Sequence, residues 1–246
     1  MEEKDNPIFL PSQNHPYYSD LAEELLRRHV KDTRSLIAIV GPPGSGKSYL
    51  ASALSHLLNH KASSEIAIVV GQDGWHYPND FLDSHTIQKS QQIITLRSIK
   101  GSPETFDAIS AIECLHRIKQ GKEISYPIYS REIHDPIPNA AKVLSHHKLI
   151  LCEGNYWLLN ELPWQTGIPL FDLRIFIQVK LDTLVPALRD RHLRGGKTEA
   201  EVERQIKVDL ENAKRIINFS VPPHIIIEKE NPVSYTHLTL PTIYSV

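Results

Sequence analysis

Cysteine is almost absent from this chain, with only Cys114 and Cys152 among 246 residues. Both lie in apolar segments without metal-ligand spacing, which favours structural thiols over a disulfide and, with them, a cytoplasmic location. Long hydrophobic runs are also missing: none reaches the length of a membrane span. The acidic start Met1-Glu-Glu-Lys-Asp5 lacks the charge pattern of a signal peptide. Nor is one sign of charge in excess. With 27 Lys and Arg against 29 Asp and Glu, a net of −2, nothing calls for a broad nucleic-acid footprint. What remains is an ordinary globular composition, 41% hydrophobic and 23% charged, long enough to bury one sizeable core. One α/β domain with a small mobile insertion is the default expectation, and homodimer formation stays open.

Against that plain background one stretch stands out. Gly41-Pro-Pro-Gly44-Ser45-Gly46-Lys47-Ser48 fits the phosphate-binding pattern G-x-x-x-x-G-K-[ST] without gap or substitution. It follows the apolar run Leu36–Val40 and opens into a segment, Tyr49–Leu58, whose apolar residues recur at helical spacing. The glycines let the backbone wrap a phosphate with its N–H groups pointing inward, and the start of the helix favours negative charge there. Gly41, Gly44, Ser45, Gly46, Lys47, Ser48 and Tyr49 are the expected ATP contacts. Lys47 is expected to reach the β- and γ-phosphates, and the Ser48 hydroxyl to ligate Mg²⁺. A glycine-rich turn that happens to contain Lys-Ser is the plain alternative. The chain has no N-K-x-D and no L-S-G-G-Q segment, which argues against signalling GTPases and transport ATPases.

Taken in order, residues 1–15 read as a loose arm, and Leu21, Leu25, Leu26 and Val30 mark one face of a helix. Residues 65–70 form a second apolar strand. At its carboxyl end stands Asp73, at the reaction centre by strand-end logic or simply in an Asp-Gly turn. Residues 87–100 read as a polar helix, 106–118 as an amphipathic one, and 123–129 as a short exposed strand leading to Arg131 and His134, which are ligand-binding groups or solvated loop residues. Leu149–Cys152 is a third core strand ending in Glu153, placed to hold a Mg²⁺ water or orient the acceptor, or else a surface acid. A fourth strand spans 172–179. The helix 181–194 then carries Arg189, Arg191 and Arg194, followed by Gly195-Gly196 and a polar helix over 198–218. A basic helix end on a glycine hinge can close over phosphates, and a solvated basic face is the other reading. Residues 224–228 form the last core strand.

Five segments in register carry a resemblance. Besides the phosphate loop, Asp73-Gly-Trp-His-Tyr77-Pro-Asn79 looks like the D-G-F-x-Y-P-N of bacterial pantothenate kinases, and Gly101-Ser-Pro-Glu-Thr-Phe-Asp107 like their G-x-P-E-S-Y-D. The latter is closer still to the G-x-P-E-T-F-D of a bacterial branch described as nucleoside/nucleotide or fructose-transport kinases. Pro127-Ile-Tyr129-Ser130 and Leu151-Cys-Glu153-Gly154 match P-x-Y-[DS] and L-x-E-G. Over residues 35 to 228 the chain thus resembles the uridine kinase, phosphoribulokinase and pantothenate kinase superfamily. The resemblance implies a P-loop α/β/α fold with a parallel sheet of about five strands, the P-loop strand central, and a small helical lid. It further implies a kinase using Mg-ATP and a small hydroxyl acceptor that is sugar-, pantothenate- or nucleoside-like, with Asp73 as base and Glu153 serving the metal. Expected acceptor contacts are Asp73, Tyr77, Tyr129, Arg131 and His134; expected lid contacts are Arg189, Arg191 and Arg194.

The departures are specific. Where uridine kinases carry N-F-D-H-P, whose aspartate holds the ribose, this chain reads Ile99-Lys-Gly101-Ser-Pro103. Tyr129 and His134 nevertheless fall on positions that uridine kinases use against the base, and Arg131 stands where a pantothenate kinase has His. A nucleotide-binding regulatory ATPase without a metabolite acceptor is the competing reading. The expected organisation is an arm and helix over 1–34, a kinase domain over 35–232 with its lid at about 188–200, and a stretch over 233–246 that resembles a translated sequencing adapter.

Overall fold

In the computed structural model, which describes residues 16–30, 33–89, 91–229 and the backbone of His237–Thr239, the chain enters through α1 (Pro16–Arg28). It continues into β1 (Ser35–Val40), α2 (Lys47–Ala62), β2 (Ala67–Gly71) and α3 (Asn79–Ser84). Two short strands follow, β3 (Thr86–Lys89) and β4 (Gln92–Thr95), then α4 (Ala108–Lys119), β5 (Ile124–Ser130) and β6 (Asp135–Val143). The second half holds β7 (Leu149–Gly154), β8 (Leu173–Val179), α5 (Leu181–Arg194), α6 (Glu199–Phe219), β9 (Ile225–Lys229) and β10 (His237–Thr239).

The main sheet runs in the order β10-β9-β8-β1-β7-β2, with β1 inside it and every pair parallel except β10 with β9. β1 is buried on both faces, so its residues alternate between two cores. Leu36, Ala38 and Val40 pack in the cluster that holds Ala111, Ile112, Leu115 and Ile118 of α4. Ile37 and Ile39 pack in the other, with Leu50, Leu54 and Leu58 of α2. These three leucines are fully buried, at about 1.5–3 kcal/mol each as an upper bound. They hold α2 against the sheet, so that its amino end faces the carboxyl ends of the strands. The expected α/β/α architecture and five parallel strands are therefore present, with β1 central.

One local expectation is corrected, and one segment that the sequence left unread proves ordered. Residues 87–100 are not a helix: β3 and β4 pair antiparallel with Ile87 opposite Ile94, and a 3-10 turn over Leu96–Ile99 follows. Thr86, Ile87, Ile93, Ile94 and Thr95 are β-branched, which stiffens χ1 and suits a pleated surface. The facing pair Ile87 and Ile94 packs on Leu82, Leu96 and Ile99 in a satellite cluster. The run after His134 is also ordered: β6 returns along β5 as an antiparallel partner, placing Arg131 and His134 at the tip of a hairpin. Of the stretch 233–246, the structure describes only a backbone strand on the edge of the sheet; the rest, like the arm over 1–15, lies outside the described residues.

Candidate active site

Strand register brings the motifs together. Val40, the last residue before the phosphate loop, lies opposite Gly154; Glu153 lies between Ile39 on one side and Gly71 on the other. Three strand ends therefore deliver the phosphate loop, Glu153 and the turn carrying Asp73 to one edge of the sheet, the edge where open parallel sheets bind ligands. Gly46 caps α2 in the left-handed region at φ 92°, which an L side chain adopts only with strain. At Gly41 a Cβ would lie 2.8 Å from both the Ile177 carbonyl and Ser45 Oγ. Ser45 is fully buried, and its hydroxyl has no partner among the described residues. A tight loop with an unsatisfied buried hydroxyl at a helix start is what a phosphate ligand fits. Lys47 is buried, donates to the Pro42 carbonyl at 2.9 Å, and has its pKa pushed down to about 8 by burial, against the pull of Glu153 and Asp73.

The two carboxylates are positioned by different means. Glu153 sits in β7, and its pKa is pushed up to about 7 by burial and by the charge of Asp73, against the pull of Lys47 and of the Ser48 and Arg131 side chains. Asp73 sits instead in a 3-10 turn, Gln72–Trp75, just beyond β2. Gln72 ties that turn to β7, its Oε1 accepting from the N–H groups of Asn155 and Tyr156 at 2.9 and 3.0 Å. Gly74 lets the turn press on β5, for a Cβ there would lie 2.1 Å from the Pro127 carbonyl. The turn is thereby wedged between β7 and the β5–β6 hairpin.

The other expected residues divide. Tyr129 lies 5.2 Å, ring to ring, from His76, whose Nδ1 is 2.9 Å from the Asp73 carbonyl. Burial and Asp73 raise the Tyr129 phenol to about 12, and burial lowers His76, keeping both neutral. Arg191, exposed in the last turn of α5, lies near enough for its charge to bear on Lys47, His76 and Tyr129. Its two neighbours do not share that partnership. Arg189 pairs with Glu203 at 2.6 Å and with Glu199, and Arg194 with Asp190 at 2.7 Å, where its side chain is 79% exposed. Arg131 is exposed at the hairpin tip; His134, at φ 53°, offers its backbone carbonyl to Asn79 and Lys100. Tyr77 stacks on Phe81 beside the satellite cluster, and Ser48 and Tyr49 are exposed in the first turn of α2, where the Ser48 side chain hydrogen-bonds Glu153. Sequence reading passed over Gln72, His76 and Lys100. His76 lies in the quoted segment and Gln72 directly precedes it, which was the available signal, whereas Lys100 lay inside a supposed helix.

Fold and site together define a P-loop α/β protein of the kinase type. The chain belongs to the phosphoribulokinase/uridine kinase family, whose profile matches residues 36–231. A Schizosaccharomyces pombe protein provisionally named a uridine kinase is 31% identical over 214 residues, covering 85% of this chain and 87% of its own. A pantothenate kinase of Streptococcus pneumoniae is 27% identical over 170 residues, 69% of this chain and 53% of that one. Among solved structures, a protein from Silicibacter sp. TM1040 provisionally called a fructose transport system kinase superposes with a TM-score of 0.75 at 30% identity, covering 85% of this chain and 98% of the other. Membership makes the chain a phosphotransferase of the small-molecule kinase class. No helix among the described residues is long and apolar enough to cross a membrane.

Proposed function

We propose that the protein transfers the γ-phosphoryl group of ATP to a hydroxyl of a small sugar-, pantothenate- or nucleoside-like acceptor. The observation that carries the reading is the meeting of Lys47, Glu153 and Asp73 at adjoining strand ends, with their charges coupled. The Ser48 hydroxyl and the Glu153 carboxylate are the groups to hold Mg²⁺, which when bound supplies neutralising charge to the phosphate oxygens. Lys47 holds its ammonium where β/γ-phosphate charge gathers, and Arg191 adds charge from the lid as the equatorial oxygens become more negative. Asp73 orients the acceptor hydroxyl and takes its proton. The acceptor oxygen forms the new bond to phosphorus while the bond from phosphorus to the ADP oxygen breaks. His76 and Tyr129, both neutral, wall the acceptor side.

The test is ADP release from Mg-ATP with nucleosides, pantothenate, pentoses, hexoses and their phosphates, with the phosphorylated product identified by mass. Acceptor-dependent release is expected. Slow ATP hydrolysis that none of these acceptors stimulates, and from which no phosphorylated product appears, would return the reading to an accessory ATPase.

A further inference from the structure

Beside the acceptor walls lies a group of cations whose charge the protein does not neutralise. Lys100 is half-buried; its Nζ donates to Asn79 Oδ1 at 2.6 Å and to the His134 carbonyl at 2.8 Å, and lies 5.2 Å from the centroid of the Tyr129 ring. Arg97 donates to the same Asn79 oxygen. Lys197, half-buried in the turn between α5 and α6, donates to Gln205 Oε1 at 3.2 Å; the Gln205 amide in turn donates to the Lys100 carbonyl at 3.2 Å. One glutamine thus brings the lid lysine alongside Lys100.

Acids are near but engaged elsewhere. Asp135 accepts from the Asn79 N–H at 2.9 Å, and Asp209 is held by His192 at 2.7 Å and by Gln205 at 3.4 Å. Among the described residues neither Lys100 nor Lys197 has an ion-pair partner within 4.0 Å, nor does Arg191 beside them; Arg97 reaches Asp83 only at 3.9 Å on the exposed rim. Burial and then the charge of Arg97 push Lys100 down to about 8 against the pull of Asp135 and Asp83, and burial lowers Lys197, with Arg191 and Arg97 adding to it against the pull of Asp209 and Glu201, so part of the like-charge repulsion in the cluster stays unrelieved. Held by neutral oxygens and crowded by like charge, such groups are stabilised by an incoming anion. The strongest charged neighbours of Lys47 are Glu153, Asp73 and Arg191, whereas those of Lys100 are Arg97, Asp135 and Lys197. The cluster therefore belongs to the acceptor side of Asp73 rather than to the phosphate loop.

We propose that the acceptor carries an anionic group, a phosphate or a carboxylate, seated among Lys100, Arg97 and Lys197 with its reacting hydroxyl turned toward Asp73. This rests on the kinase reading, and it removes free nucleosides and unsubstituted sugars from the acceptor class. Lys197 rides on the lid turn, so an anion bridging it to Lys100 draws the lid down over the acceptor.

The experiment first fills the phosphate loop with Mg²⁺ and the non-hydrolysable ATP analogue AMP-PNP. Inorganic phosphate and, in a separate arm, succinate are then titrated by calorimetry against chloride of equal ionic strength. Saturable binding of one anion is expected, weakened about tenfold or more in Lys100→Gln and in Lys197→Gln, with AMP-PNP affinity unchanged in Lys100→Gln and with both variants melting as wild type. Which anion binds separates phosphate from carboxylate. Absence of saturable binding to the loaded wild type, or binding that neither variant weakens, overturns the proposal. Matched acceptors then separate it from the reading beneath it, using sugars against their monophosphates and pantothenate against pantothenyl alcohol. Turnover confined to the charged members supports both. Equal turnover of the neutral members overturns the anion site and leaves the kinase standing, while anion binding without any turnover does the reverse.

Discussion

The phosphate loop and the proposed acceptor side differ in how they are built. The loop is eight consecutive residues between a buried strand and a buried helix, and its glycines, Ser45 and Lys47 are positioned by their own backbone and by the leucines behind α2. The acceptor side draws its groups from far apart in the chain: Asp73 and His76 from the turn after β2, Lys100 from the stretch after β4, Tyr129 from β5, Arg191 and Lys197 from the lid. Side-chain links hold these pieces in place, Gln72 to β7, Asn79 to Lys100, Gln205 to Lys100 and Lys197. A site made from one segment tolerates change elsewhere in the chain. A site made from several depends on each joint, and acceptor choice can change without disturbing nucleotide binding.

Five substitutions probe that division. Lys47→Ala should have the largest effect, with transfer reduced by about a thousandfold and ATP affinity weakened in a protein that still melts cooperatively; a folded variant with normal turnover breaks the assignment of the loop. Asp73→Asn should lower single-turnover transfer by about a hundredfold while ATP affinity is nearly kept. Should Asp73→Asn transfer at the wild-type rate while Glu153→Gln is dead, the two carboxylates exchange roles. Arg191→Ala should reduce kcat by about tenfold, more than it raises the KM for ATP, with Arg194→Ala close to wild type because that side chain pairs with Asp190 in solvent. Equal losses in both would mean that the lid acts through its total charge rather than through one arginine.

The smallest effect is on stability. Burial raises Glu153 from 4.5 to about 7 in the folded protein, so between those values the native state keeps a proton that the unfolded chain releases. Stability falls as pH rises through that window, and the full penalty stands above it. Glu153→Gln should therefore raise the melting temperature of the ligand-free protein at about pH 8 and by less at about pH 5. A shift independent of pH would show that packing, not the buried charge, sets the effect.

Legibility followed the same division. The P-loop, the core strands along the chain and most of the helices around them could be read directly, because burial on both faces leaves continuous apolar runs and a helix leaves a 3.6-residue period, whereas the order of the strands in the sheet could not. The segment over 87–100 misled because its two strands are only four residues each, which leaves no period long enough to tell strand from helix. β6 went unread because most of its nine residues are exposed or half-exposed and its partner is β5 alone.

Consecutive residues were enough to locate the phosphate loop, the fold class and Glu153 at a strand end, since each is a local pattern, while Asp73 was singled out by the family resemblance of its segment. It took the folded chain to show which of the three arginines lies near Lys47 and Tyr129, that Gln72 and Gly74 hold Asp73 in place, and that Lys100 and Lys197 share one glutamine. Those depend on charge balance and hydrogen bonding between segments up to a hundred residues apart in the chain, and spacing along a sequence carries no record of which acids are already engaged.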